Sequence, residues 1–256
     1  MSIVGQQLYL GNDPINLIQN NKIVLSNPFT YEEPAMGYVT DGLIWYVDAD
    51  DTNSYPGTGT AVYDISGQDL EASLQNGASY SAVSSSFSFD GTNDLLRTTG
   101  SFSVSLSEKT LLAWVKLDNI SQTGGGVIGV QGPSLVFDTI TYNETSQGWG
   151  YGSDFYNRTF WTGVTETSTQ DWVMITGVYA AGTNGYKMYR QDQLIGQGTE
   201  SVYSFSTGVY YQMGVRVVGF STYLDGYVPL GMVYNRALTA DEITQNYNYF
   251  KGRFGL

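Results

Sequence analysis

From Gly42 onward the chain is a series of short apolar runs, several with a two-residue period, cut by Gly, Asn, Asp and Ser turns. "LIWYVDA" (43–49), "KTLLAWVKL" (109–117), "DWVMITGVYA" (171–180), "GYKMYRQ" (185–191), "VRVVGF" (215–220) and "GYVPLGMVY" (226–234) read as strands. In 110–116, Thr110, Leu112, Trp114 and Lys116 take one face and Leu111, Ala113 and Val115 the other. Lys116 marks where the first face reaches water. Many short strands at regular spacing predict an all-β chain built as a two-sheet antiparallel sandwich.

One helix is legible. In "YNRALTADEI" (234–243) Thr239 is a natural N-cap, Glu242 stands three residues later, and Leu238 and Ile243 flank them as a hydrophobic staple. The helix is predicted to start near Ala240. Its apolar side continues through Tyr247 and Phe250, with Asn246, Asn248 and Lys251 facing away and Gly252 and Gly255 marking its end. Such a helix packs onto something already built.

Residues 1–36 differ from the rest. "QQLYLGNDPINLIQNNKIVL" reads as two extended pieces, Leu8–Leu10 and Lys22–Leu25, with too little apolar material for a core of their own. The expected organisation is an N-terminal extended arm, 1–36, that folds onto the main domain or onto another chain, followed by a sandwich over 37–256. Asp and Glu number 24 against 11 Lys and Arg, a formal net charge of −13, so phosphate backbones and anionic lipid are repelled. Neither nucleic acid nor membrane is an expected partner. No signal-peptide pattern shows in "MSIVGQQLYLGNDP", so a soluble chain that is not exported is expected. The chain has no Cys and no His, which removes disulfides, thiolate nucleophiles, Ser-His-Asp triads and His-ligated zinc together.

The order of the pieces carries a resemblance. "GLIWYVDADD" (42–51), "DISGQDLEASLQNGASY" (64–80), "FSFDGTNDLL" (87–96), "TLLAWVKLD" (110–118), "DWVMITGVYAAGTNGYKMYRQDQLIG" (171–196) and "DGYVPLGMVYNRALTADEI" (225–243) resemble, in register, the laminin G-like domains of the concanavalin A-like lectin/glucanase superfamily. The resemblance implies a jelly-roll sandwich over roughly residues 38–250, with the short helix capping one edge. "RQDQ" (190–193) stands where such domains usually carry Asn-Gly, which implies a longer or differently shaped turn.

The arm, the lectin-like domain and the "YNRALTADEITQNYNYFKGRFG" ending also resemble virion proteins of tailed bacteriophages. That implies a non-enzymatic virion structural protein, assembled in the bacterial cytoplasm and multimeric in its assembly. The arm would join other capsid or tail proteins, and the lectin-like domain would meet host surface glycan. Two alternatives stand beside it: a decoration or cement protein that binds no sugar, and a free carbohydrate-binding protein or glycoside hydrolase. The Glu-x-Asp-x-x-Glu strand of glucanases has no counterpart here. The nearest acidic strings are "EE" (32–33), "DADD" (48–51) and "DE" (241–242), so no enzyme activity is expected.

Three stretches are candidate sites. "QGWGYGSDFYNRTFWTG" (147–163) sets aromatic faces beside short polar groups, as a sugar ring requires, and offers Trp149, Tyr151, Asp154, Asn157 and Arg158 as ligand-binding residues. Trp149 and Tyr151, between glycines, are expected to be exposed; the alternative is that these aromatics are core residues of one or two strands. "FDGTND" (89–94) offers oxygen ligands for Ca²⁺, with Asp90, Asn93, Asp94 and Asp225 as the candidate set, although Asx side chains capping a tight turn around Gly91 would leave the same pattern. No cofactor is required. "GGGVIG" (124–129) satisfies Gly-x-Gly-x-x-Gly, but no helix is expected after it, which predicts a flexible loop rather than a phosphate cradle.

Overall fold

The computed structural model describes residues 9–10, 13–14, 37–153, 159–181, 185–200, 202–220 and 222–256. The chain divides into two units, Met1–Met36 and Gly37–Leu256. In the first, β1 (Tyr9–Leu10) pairs antiparallel with β2 (Asp13–Pro14). The predicted piece Lys22–Leu25 lies outside the described residues.

The second unit continues with β3 (Leu43–Asp48), β4 (Ala61–Tyr63), β5 (Glu71–Gln75), β6 (Ser79–Ser81), β7 (Ser86–Asp90), β8 (Leu95–Thr98), β9 (Lys109–Leu117) and β10 (Gly125–Gln131). Then come β11 (Phe137–Tyr142), β12 (Trp149–Ser153), β13 (Phe160–Trp161), β14 (Val173–Tyr179), β15 (Tyr186–Arg190), β16 (Gln193–Gly198), β17 (Tyr210–Met213) and β18 (Asp225–Tyr234). These form two antiparallel sheets. The first has the order β13-β12-β11-β10-β17-β8-β5-β4, and the second β16-β15-β14-β9-β18-β7-β6 with β3 also on β18. Ten-residue β18 can serve two partners on one edge: its first residues pair with β7 and its last with β3.

The alternation in β9 fixes the layering. Leu111, Ala113 and Val115 enter the core between the sheets, whereas Leu112 and Trp114 belong to a second cluster with Met174, Leu230, Met232, Ile243 and Phe250. Each such fully buried Leu or Val contributes about 1.5–3 kcal/mol. Lys116, next on that second face, is only half-buried, as the pattern predicts.

The second cluster exists because the helix α1 (Ala240–Phe250) lies over the outer face of the second sheet, not at its edge. Its start is the predicted capping box: Glu242 N–H donates to Thr239 Oγ1 at 3.3 Å and Thr239 N–H to Glu242 Oε2 at 2.8 Å. Asn246 does not face water as the helical pattern suggests. It is fully buried, accepts from Val39 N–H at 2.8 Å and donates to the Tyr234 hydroxyl at 3.1 Å, so it ties α1 to the segment that enters β3.

The structure corrects two further local readings and decides a third. "GGGVIG" is strand from Gly125 on, not loop: β10 lies inside the first sheet, and a Cβ on Gly126 would meet Arg216 N at 2.1 Å. "VRVVGF" is not a strand; Val215 makes one isolated bridge to Tyr223, and the segment crosses the first sheet instead. "RQDQ" forms a two-residue hairpin turn with Arg190 opposite Gln193. The turn is therefore not longer but is differently shaped: Gln191 takes a left-handed φ of 56° and Asp192 does not, whereas Asn-Gly would put both there, and the Gln191 side-chain amide holds it by accepting from Met174 N–H and donating to the Trp172 carbonyl.

Candidate functional site: a groove around Arg253

The two outer faces of the sandwich are closed differently. On the first sheet, Val215–Val218 lie against outward-facing residues: Thr139 Oγ1 and Gln212 Nε2 donate to the Arg216 carbonyl, and Val218 N–H donates to Gln131 Oε1. Val215, Arg216 and Val217 are buried there. On the second sheet α1 leaves a margin uncovered, and a groove forms along it.

The groove is made by the chain's last turn. After α1, a 3₁₀ turn (Lys251–Phe254) ends in Gly255 at φ 76°, and Phe254 stacks on Trp114 with ring centroids 4.0 Å apart. That contact brings Arg253 over the end of β3. Its Nη1 donates to both oxygens of Asp48 at 2.8 Å, its Nη2 to the Ser85 carbonyl at 3.3 Å, and its Nε lies 3.7 Å from Asp50. The two oxygens of Asp48 also accept from the Tyr46 hydroxyl and from Asp50 N–H. Two donors on each oxygen saturate the carboxylate. Arg253 therefore joins the β3 end to the β6–β7 turn and fixes the groove's shape.

On one side of Arg253 lies a cleft of about 630 Å³ lined by Tyr38, Tyr46, Tyr249, Asp50, Asp51 and Thr52 among others. Tyr38 meets Tyr46 and Tyr249 edge-on, both at 5.3 Å, and stacks on Phe250 at 5.8 Å, so its ring has one setting. Tyr249 is 48% exposed. Burial, followed by the neighbouring Tyr249, Asp51 and Asp48, pushes the Tyr38 hydroxyl above its ordinary value, and burial and then Asp48 do the same to Tyr46. Both phenols remain neutral donors at physiological pH. On the other side is a smaller cleft of about 400 Å³ that shares Asp50 and Arg253 and adds Lys116, Trp172, Phe254, Ser84 and Ser85.

The groove combines ring surfaces with exposed carboxylate and hydroxyl groups. Sugar rings need both: apolar CH faces pack on aromatic rings while hydroxyls pair with short polar groups.

The sequence-predicted sugar residues lie elsewhere. Trp149 and Tyr151 are fully buried, contrary to expectation, because their strand β12 is paired on both sides and both face the inter-sheet core. The Trp149 indole donates to Glu166 Oε1 at 2.6 Å, and Arg190 clasps that same carboxylate with two bonds. Their flanking glycines give space to neighbours rather than exposure, since a Cβ on Gly150 would meet Trp161 at 2.4 Å. Asp154, Asn157 and Arg158 lie outside the described residues.

The calcium candidates are partly gathered. Asp90 faces Asp225 in register across β7 and β18, and Asp94, 4% exposed, accepts from Asp90 N–H. Burial and then Asp90 raise the Asp94 carboxyl; burial, Asp118 and Asp90 raise Asp225. Asp90 itself accepts from Thr92 N–H, an Asx turn at Gly91, and the Asn93 carbonyl accepts from Asn76. Among the described residues, no three His, Cys, Asp or Glu side chains are grouped as a metal ion requires.

A family model described as the concanavalin A-like lectin/glucanases superfamily matches residues 89–244, more than half of the chain. No curated protein matches the chain in sequence. Among solved structures, a sialidase of Trypanosoma rangeli in complex with sialic acid is similar at TM-score 0.61 and 16% identity, over 83% of this chain and 33% of the sialidase. This chain thus spans about a third of that enzyme. Domain 4 of AbnA, an extracellular arabinanase from Geobacillus stearothermophilus, in complex with arabinotriose, is similar at TM-score 0.59 and 15% identity, over 80% of this chain and 98% of that domain.

Proposed function

We propose that this chain, which belongs to the concanavalin A-like lectin/glucanases superfamily, is a non-enzymatic glycan-binding protein whose sugar site is the groove around Arg253. The observation that carries the reading is the cleft between Tyr38, Tyr249 and the Asp50–Thr52 turn, where ring surfaces and unshielded oxygens share one wall. The sugar-bound arabinanase domain, similar over nearly its whole length, supports a binding role for a unit of this size.

Binding without hydrolysis fits the chemistry of the groove. Hydrolysis of a glycosidic bond uses two free carboxyl groups flanking the bond. Asp48, the enclosed carboxylate here, has both oxygens committed to Arg253, Tyr46 and Asp50 N–H, and the other two, Asp50 and Asp51, are consecutive residues of one turn rather than a pair flanking a bond. In the proposed setting the protein is displayed on a bacteriophage virion through residues 1–36, and many copies together make weak single sites useful by avidity. The arm-then-lectin order and the chain's resemblance to tailed-phage virion proteins support that setting.

A glycan array probed with the full chain on a multivalent bead tests the proposal. Tyr249→Ala and Asp50→Ala are expected to abolish glycan capture with the melting temperature nearly unchanged. Wild-type beads that capture no glycan would overturn the proposal and leave a decoration role.

A further inference from the structure

The smaller cleft specifies the kind of sugar. We infer that it receives an acidic substituent of the glycan, a carboxylate or sulfate, and that Lys116 is the residue that selects it. This inference rests on the glycan reading of the groove.

Acidic side chains outnumber basic ones 24 to 11, so the surface field repels anions, and an anionic ligand needs a local cation that is not already neutralised. The cations nearby differ in this respect. Arg253 is held by Asp48 and Asp50, and Arg236, further along the same face, by Asp41 and Glu242. Lys116 forms no ion pair among the described residues. Its Nζ instead lies 5.2 Å from the Trp172 ring and 5.0 Å from the Tyr227 ring. Aromatic faces hold an ammonium in place without cancelling its charge, so its N–H groups stay free to donate.

The placement suits an oligosaccharide that crosses Arg253. β9 delivers Lys116 to the cleft because residues 112 and 114 of the same face are covered by α1 and the final turn, and 116 is the first position beyond them. Asp50 and Arg253 line both clefts, so the two adjoin, with Tyr38, Tyr249 and Asp51 on one side, Lys116 and Trp172 on the other, and Asp50 between them beside the Arg253 guanidinium. A neutral sugar would leave the Lys116 ammonium without a partner. An acidic sugar on that side would gain a charge-assisted bond while its carboxylate or sulfate stays away from Asp51, on the opposite side.

The test is an array of neutral, uronate-bearing, sialylated and sulfated glycans, read with full-chain wild type, Lys116→Gln and Tyr249→Ala on the same multivalent beads. Wild type is expected to prefer acidic glycans over their neutral counterparts about five- to tenfold, the scale of one charge-assisted bond in a half-open cleft. Lys116→Gln should reduce acidic glycans to the level of their neutral counterparts, while Tyr249→Ala should lose both. Comparing uronate and sialyl with sulfated glycans tells carboxylate from sulfate. Added salt should shrink the preference in wild type alone. Equal capture of neutral and acidic glycans, or an acidic preference that survives Lys116→Gln, overturns this inference and leaves the glycan site standing. No capture of any glycan overturns both.

Discussion

Arg253→Ala should loosen the groove and the fold together, and the structure sets how much. The Asp48 side chain is 7% exposed and that of Arg253 22%, so the pair is enclosed on one side and open on the other. Removing one partner of a fully buried pair costs about 3–5 kcal/mol because the remaining charge is left without compensation. Here Asp48 keeps the Tyr46 hydroxyl and Asp50 N–H, which lowers the expected loss to about 2–3 kcal/mol. At roughly 2–4 °C per kcal/mol for a domain of this size, the melting temperature should fall by about 4–12 °C. Urea denaturation of the full chain gives the free energy and scanning calorimetry the temperature. Asp48→Asn completes a double-mutant cycle, in which the two losses should be strongly non-additive. A loss below about 0.5 kcal/mol, or additive losses, would place the pair with ordinary surface ion pairs and refute the clasp.

Four other outcomes follow from particular contacts. Trp149→Ala and Tyr151→Ala should each cost about 3–5 kcal/mol in urea denaturation, whereas Tyr249→Ala should cost under about 1 kcal/mol; a stable Trp149→Ala would contradict its burial. Asn246→Ala removes partners from Val39 N–H and the Tyr234 hydroxyl and should cost about 1–3 kcal/mol by the same assay. Arg236, by its hydrogen bonds, holds Glu242 down at about 2 against an ordinary 4.5, so its contribution is complete above pH 4.5 and lost as pH falls toward 2. Glu242→Gln should flatten the fall in melting temperature across that window. Asp94 runs the other way: burial and Asp90 raise its carboxyl, so the folded state loses stability as pH rises through the carboxylate range. Asp94→Asn should therefore raise the melting temperature at pH 7 and leave it unchanged at pH 3; an unchanged value at both would contradict this.

The architecture was legible because it rests on local signals. Period-two runs placed β3, β9, β14, β15 and β18, and the Thr239–Glu242 box placed the start of α1. Misreadings arose where a distant segment decides. β10 is strand, although its glycines suggest a loop, because Arg216 and Thr139 occupy the space that side chains would fill. Asn246 is buried, against the helical pattern, because Val39 and Tyr234 supply its partners. The same holds for the site. Trp149 and Tyr151 carry the composition of a sugar platform but lie on a paired strand facing the core, and half of any aromatic-rich strand points inward. The groove instead unites "DADD" with "KGRFG", 205 positions apart between Asp48 and Arg253. The usable hint was an acidic run at a strand end together with a lone arginine just past an amphipathic helix, neither informative until the fold joins them.

Amide chemical-shift mapping on the full chain, titrated with the glycan that gives the strongest array signal, tests the central claim most directly. The account predicts that the perturbed amides cluster at Tyr38, Asp50–Thr52, Ser84–Ser85, Lys116, Tyr249 and Arg253, the lining of one groove. Shifts confined to the loops around residues 143–163, with the Arg253 groove silent, would contradict it.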